Sequence, residues 1–355
     1  MDFNTNQEKI VKTTAHHVVV HAAAGSGKTR CLVGRLKYLL DNGVAPEQII
    51  AITFTNAAAE EIMERLNRPV GLFVGTIHSL ANQFLISCGI KTFDLIEDEN
   101  FDGLFSRIKE HPDCVRHVQY LLLDEAQDSS PTQFEFIFDN IKPDNWMIFA
   151  DVRQSIYRWN GAYPEYIFDL MNENKTTIYE SNENYRCGQK IIEFARQLIQ
   201  PLGFNYTDRS KAMRDEQGAV LFVEFSPKAI AKTIKERIDK GIDKESDWFV
   251  LTRTNAESDV ILEELKRVGV SCDSFKRKSL TNRDLQDKMK ADTVKVLTIH
   301  VAKGLEAKNV VVIGGRFMNT EERCICYVAA TRAKDLLVWT HEKKKFKRKG
   351  MVSWE

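Results

Sequence analysis

Residues 16–20, His-His-Val-Val-Val, run into Ala22-Ala23-Ala24-Gly25-Ser26-Gly27-Lys28-Thr29. Leu32, Leu36, Leu39 and Leu40 then recur at helical spacing. Strand, small-residue loop, Gly-Lys-Thr and helix, in that order, constrain the fold more than any other feature of the chain. Gly25 and Gly27 allow the backbone to curl so that successive N–H groups point at one place. The helix that starts near Lys28 adds the positive end of its dipole. Lys28 can reach the outer phosphates of a nucleotide, and the Thr29 hydroxyl can ligate Mg²⁺. This is the context that makes such a loop a phosphate cradle rather than a chance turn. The first glycine usual in the motif is Ala22 here, small enough for that turn.

The second constraint is Tyr120-Leu121-Leu122-Leu123-Asp124-Glu125-Ala126-Gln127-Asp128, an apolar strand ending in acids. A buried strand of a parallel sheet delivers such carboxylates to the edge where ligands bind. Asp124 is expected to hold Mg²⁺ and Glu125 to orient and deprotonate an attacking water.

With both motifs placed, the chain resembles the UvrD/PcrA/Rep branch of superfamily-one helicases, from residue 4 to about residue 339. The resemblance implies an α/β fold of two RecA-like parallel-sheet P-loop NTPase domains in tandem, residues 1–178 and 179–355, with ATP in the cleft and single-stranded nucleic acid across the top. It implies that Ala24, Gly25, Ser26, Gly27, Lys28, Thr29 and Arg30 line the nucleotide. Asn4-Thr5-Asn6-Gln7 is similar to the family's N-terminal glutamine motif, so Gln7 would read adenine. Ile52-Thr53-Phe54-Thr55-Asn56 and Gly75-Thr76-Ile77-His78-Ser79 resemble strand-contact segments, which assigns Phe54, Asn56 and His78 to nucleic acid; a core role for His78 stands beside that. The segment from Phe149 to Ala162 resembles the motif that couples the two sites. Gln154 would sense the γ-phosphate, and Tyr157 and Trp159 would stack on bases. Val152-Arg153 interrupts the acidic run the family usually carries there.

In the second half, Glu183-Asn184-Tyr185-Arg186-Cys187 is similar to the motif in which Tyr185 stacks on adenine and Arg186 reaches the γ-phosphate, with Cys187 in the place of the usual serine. The stretch from Val294 to Glu306 resembles the fifth motif. Glu306 would bond the ribose, and His300 would serve the nucleic-acid strand. Cys326 to Lys334 resembles the sixth, with Arg332 as a second γ-phosphate arginine. Leu251-Thr252-Arg253 matches a family strand end, where Arg253 either touches DNA or pairs within its domain. Arginines that bond the phosphate only when the cleft is closed would tie hydrolysis to motion.

The expected activity is an ATP- and Mg²⁺-dependent 3′ to 5′ single-stranded DNA translocase or helicase, acting on single strands or tailed duplexes. The alternative is a strand-stimulated ATPase that remodels a partner complex without unwinding alone. An RNA substrate stays open, and an inactive scaffold sits poorly with the full set of ATP-site residues. The intervals from His78 to Asp124 and from Tyr185 to His300 are short for the family. The first has room for about two short helices near Phe101–Lys109. The second reduces the accessory insertion to a polar linker over Ser274–Asp292.

Bulk properties set outer bounds. The 355 residues carry 50 Lys plus Arg and 50 Asp plus Glu, so no sequence-wide basic charge argues for nonspecific coating of nucleic acid. The one strong charge run, Lys343–Lys349, reads as a solvated tail, with phosphate contact as the alternative. The seven cysteines show no zinc spacing. No apolar run reaches membrane-spanning length, and Met1-Asp2-Phe3-Asn4 does not open a signal peptide. A cytoplasmic monomer is expected, with a protein partner where full unwinding needs one.

Overall fold

The computed structural model describes residues 2–275, 288–315 and 317–341. Two compact units, Met1–Asn182 and Glu183–Glu355, divide the chain. The first is built on β1 (His17–Ala22), β2 (Ile49–Ile52), β3 (Phe73–Gly75), β4 (Tyr120–Leu123), β5 (Asn145–Ala150) and β6 (Thr176–Ser181). These form one sheet in the order β3-β2-β4-β5-β1-β6, and every pairing in it is parallel.

Parallel pairing forces each strand to be followed by a crossover, here mostly helical, that covers a sheet face. The central strands therefore read as unbroken apolar runs: Ile49–Ile52 and Leu121–Leu123 are buried throughout. The helix Lys28–Asp41 packs Leu32, Leu36 and Leu39 on this sheet, in one core with Val18, Val20, Leu122 and Phe149. Because the pairing is wholly parallel, every strand's C-terminal end opens at the same edge. Backbone bonds knit that edge: Thr53 N–H donates to the Gly75 carbonyl, Asp124 N–H to Ile52 and Ala23 N–H to Ser181.

Between β3 and β4 lie the helices Ile77–Ser87, Phe93–Glu97 and Gly103–Glu110. The last two fill the interval in which two short helices were expected.

The second unit contains a short ladder, β7 (Glu183–Asn184) with β8 (Lys211–Ala212), and a further parallel sheet. Its strands are β9 (Ala219–Glu224), β10 (Trp248–Thr252), β11 (Cys272–Ser274), β12 (Val294–Thr298), β13 (Ala307–Val312) and β14 (Ala333–His341). Their order is β11-β12-β10-β13-β14-β9. The fold class is thus the expected one, two α/β units each organised by a parallel sheet. The boundary falls after Asn182 rather than at 178, because β6 pairs with β1 along its whole length and belongs to the first sheet. The run Lys343–Lys349 and most of the linker Ser274–Asp292 lie outside the described residues. Among the described residues, no helix is long and apolar enough to cross a membrane.

Candidate active site

The phosphate loop emerges from β1 between β5 and β6. Gly25 and Gly27 hold φ of 72° and 84°, the left-handed region that a side chain would strain. Gly27 is also the N-cap of the helix Lys28–Asp41, and no side chain caps that helix. Its first N–H groups therefore keep their capacity to bond an anion. The Ser26 hydroxyl is buried in the same loop with no hydrogen-bond partner. An uncapped helix start, a curled loop and an unsatisfied buried hydroxyl fit a phosphate chain.

Lys28 and Glu125 meet at this edge. Lys28 Nζ lies 3.6 Å from Glu125 Oε1 and 3.5 Å from the Ala22 carbonyl oxygen. Glu125 adopts a left-handed backbone, φ 51°, unusual for a residue with a side chain and a conformation that its surroundings must hold. Asp124 Oδ1 accepts from the Glu125 N–H at 2.9 Å. Among the described residues, no cluster of three or more His, Cys, Asp or Glu is set to hold a metal. Magnesium takes one or two protein oxygens and fills its remaining positions from water and phosphate. Thr29 and Asp124 are the donors of that type beside the loop.

A hydrogen-bonded network lies beneath these groups. Gln127 is fully buried. Its Nε2 donates to Glu125 Oε2 at 2.6 Å, and its Oε1 accepts from the Asp151 N–H at 3.0 Å. Asp151 accepts from Arg153 Nε at 2.6 Å and from Gln154 Nε2 at 2.7 Å. Burial alone would raise the Asp151 pKa, but Arg153, Lys28 and His21 outweigh it and hold the carboxyl at about 2. Burial pushes His21, at the end of β1, down to about 4; Arg153 and Lys28 add to the shift, and Asp151 and Glu180 oppose it. Neither Gln127, Asp151 nor His21 was singled out from sequence. The Asp-Glu-x-Gln spacing was the available signal for Gln127, since two residues past Glu125 is within side-chain reach.

Gln7 is buried and doubly engaged. Its side chain closes a capping box with Asn4, and its Nε2 donates to the Ser26 carbonyl at 3.2 Å. The N-terminal helix is thereby tied to the loop. Arg30 donates to the Asp2 carbonyl and lies over the Phe3 ring.

Of the strand-contact candidates, Trp159 is 68% exposed and Phe54 39%. Phe54 stacks on Tyr157 with ring centroids 4.9 Å apart, and Tyr157 itself is buried. Tyr157 therefore supports an exposed ring instead of offering an open face of its own. Asn56 begins the helix Asn56–Arg65, whose N-cap is Thr55. His78 packs on Phe101 and Phe105, with Nε2 3.7 Å from Asp102 Oδ1.

In the second unit, Arg186 Nε donates to Glu306 Oε2 at 2.7 Å, and Lys334 Nζ lies 2.6 Å from Glu306 Oε1. Burial raises the Glu306 pKa, but Arg186 and Lys334 prevail and hold it at about 2. Arg332 is buried and donates to the carbonyls of Val328 and Leu305 and to Thr331 Oγ1. Tyr185 is exposed. Arg253 donates to Glu322 Oε1 at 2.5 Å, so of its two expected roles the structure supplies the pairing within its unit. His300 lies in the turn that follows β12.

Comparison with known proteins adds the following. The profile of the UvrD/REP helicase N-terminal domain matches residues 3–111 and 106–175, and that of the UvrD-like helicase C-terminal domain matches residues 273–344. The chain is 27% identical over 366 residues to the ATP-dependent DNA helicase PcrA of Bacillus subtilis, covering 76% of this chain and 49% of that protein. It is 26% identical over 359 residues to the Staphylococcus aureus protein of the same name, covering 73% and 49%. A Mycoplasma pneumoniae protein named probable DNA helicase is 24% identical over 451 residues, covering 94% and 82%. The chain spans about half the length of the PcrA proteins it matches.

Proposed function

The chain belongs to the UvrD-like helicase family, and from that premise we propose that it is an ATP-hydrolysing motor that moves 3′ to 5′ on single-stranded DNA and opens duplexes ahead of it. The observation that carries this reading is the Lys28–Glu125 pair at the mouth of the phosphate loop, 3.6 Å apart. A phosphate-binding cation and a water-activating carboxylate stand at one sheet edge.

The residues divide the work as follows. The loop N–H groups and Lys28 bind the phosphates. Glu125 accepts a proton from the attacking water, which its neighbours hold in line. Thr29 and Asp124 hold a magnesium ion, which when bound neutralises charge on the phosphate oxygens. Gln7 and Tyr185 grip the base and Glu306 the ribose. Gln154, Arg186 and Arg332 answer to the γ-phosphate. Arg186 must exchange its bond to Glu306 for that role, and Arg332 its bonds to carbonyls. Phe54 and Trp159 face the strand, with Tyr157 beneath Phe54, and Asn56, His78 and His300 serve it as well, while Arg253 stays paired with Glu322. The protein works as a monomer in the cytoplasm.

The test is a strand-separation assay on duplexes with a 3′ or a 5′ single-stranded tail. Unwinding of the 3′-tailed duplex in the presence of ATP and magnesium is expected. ATP hydrolysis stimulated by single strands without strand separation would transfer the function to remodelling of a partner complex. Unwinding of only the 5′-tailed duplex would reverse the polarity.

A further inference from the structure

Of the seven cysteines, all within the described residues, Cys88 alone is exposed. It ends the helix Ile77–Ser87, and its N–H donates to the Leu85 carbonyl at 3.1 Å. Cys114 is buried, the last residue of the short turn Pro112–Cys114. Between the two lie the helices Phe93–Glu97 and Gly103–Glu110. That segment is folded back on itself. Arg107 donates to the Lys91 carbonyl at 2.6 Å and to the two Asp94 carboxylate oxygens at 3.0 and 2.9 Å. The helices Ile77–Ser87 and Gly103–Glu110 and the turn Pro112–Cys114 pack on one another. The chain thereby returns to where it left, and the Cys114 thiol hydrogen-bonds the Cys88 sulfur. Sulfurs in contact have the approach that a disulfide requires. The bond to Cys88, and after it burial, push the Cys114 thiol up to about 11. Cys114 therefore keeps its proton, and Cys88 is the sulfur open to a reagent. Neither thiol belongs to the proposed ATP site.

We propose that Cys88 and Cys114 are a reversible redox pair, which a low-molecular-weight disulfide oxidises to a bond that clamps the intervening segment onto the helix Ile77–Ser87. The Cys88 thiolate, its proton lost to solvent, attacks one sulfur of the reagent, here oxidised glutathione. One glutathione leaves as thiolate and takes up a proton. The mixed disulfide at Cys88 carries no negative charge against Cys114, which now gives its proton to solvent and attacks the Cys88 sulfur. The second glutathione leaves as the first did. The protein dithiol has lost two electrons and two protons, and the reagent has gained them as two thiols. Excess reduced glutathione runs the sequence backwards, so in a reducing compartment the bond is transient. Phe101 and Phe105, which pack on His78, lie inside the loop that the bond closes. The clamp thus stiffens the ground on which a strand-contact candidate stands.

The experiment treats the folded full chain with oxidised glutathione near neutral pH, quenches in acid and maps the digest by mass spectrometry. Hydrogen exchange is read on the same samples, and thermal melting confirms the fold of each variant. A peptide joining Cys88 to Cys114 is expected in the wild type, and dithiothreitol should abolish it. Cys114→Ser should stop at the glutathione adduct on Cys88, and Cys88→Ser should give neither product. If Cys114→Ser does not fold, Cys114→Ala serves the same step. Amide exchange across residues 93–110 should slow about tenfold in the oxidised wild type. A lasting glutathione adduct on Cys88 of the wild type, or no reaction there, overturns the pair. So does a Cys88 cross-link shared equally with Cys272, the mark of an unfolded chain. A Cys88–Cys114 bond with unchanged exchange overturns the clamp.

Discussion

His21, half-buried on β1, and Asp151, fully buried at the end of the neighbouring β5, together tie stability to pH. His21 titrates near 6.5 in an unfolded chain and near 4 in the fold. Between those values the unfolded chain takes up a proton that the folded one refuses. The stability this represents is complete above about 6.5 and lost as pH falls to about 4. At ~1.4 kcal/mol per pKa unit the loss is ~3–4 kcal/mol. Asp151 acts further down: its folded value of about 2 against an ordinary 3.8 gives stability that is present above 3.8 and lost as pH drops towards 2. The thermal midpoint should therefore decline from pH 7 to pH 4, and His21→Gln should flatten that decline; curves that stay parallel would contradict the assignment. Trp159, with 68% of its surface exposed, belongs to the same scale. Trp159→Ala should weaken binding of a labelled oligothymidylate by ~1–3 kcal/mol, read by anisotropy, and unchanged affinity would move the strand path elsewhere. Lys28, Asp124 and Glu125 were legible because a phosphate loop and a strand-end carboxylate pair are local patterns. Asp151, His21 and the use made of Gln127 were not, because His21 on β1, Gln127 after β4 and Asp151 after β5 meet only when those strands, far apart in the sequence, align in one sheet.

Elements in this chain are set by local chemistry more than by long-range rescue. Thr55, Thr76, Ser226, Thr254 and Asn319 each cap a helix through a side-chain bond, and the one helix beginning at the phosphate loop is left uncapped where an anion can serve. Sheet membership was not readable from such local signals. Nothing local in Thr176–Ser181 says that it pairs with His17–Ala22, which is why the boundary between units was expected inside β6. The turn of π-helix at Phe136–Ile141 likewise has no marker in the sequence. One contact between elements is testable directly. A Cβ on Gly188 would come within 2.4 Å of Gly218 N and 2.6 Å of the Gln217 carbonyl oxygen, backbone atoms that cannot swing away. Gly188→Ala should destabilise the second unit by ~1–3 kcal/mol, seen as faster amide exchange in the helix Gln189–Ile199. Exchange equal to wild type would mean that the two segments do not pass so closely.

At the scale of the whole molecule, each unit carries its own parallel sheet and its own share of the proposed machinery. The first holds the phosphate loop, both carboxylates and the aromatic platform. The second holds Tyr185, Arg186, Glu306 and Arg332. A chain that only bound nucleic acid would have no use for the Lys28–Glu125 pair, and a simple ATPase would have no use for an exposed tryptophan one short segment away from Gln154. Within the first unit, Gln127 joins Glu125 to the segment that carries Trp159 through hydrogen bonds to Glu125, Asp151 and Ser155, so hydrolysis should respond to the strand. The measurement that tests this most directly is the steady-state Mg-ATPase rate with and without single-stranded DNA, with RNA of the same sequence in parallel and Lys28→Ala as control. The account predicts strong stimulation by DNA and no turnover in the control; a rate indifferent to both nucleic acids, or one that survives loss of Lys28, would contradict it.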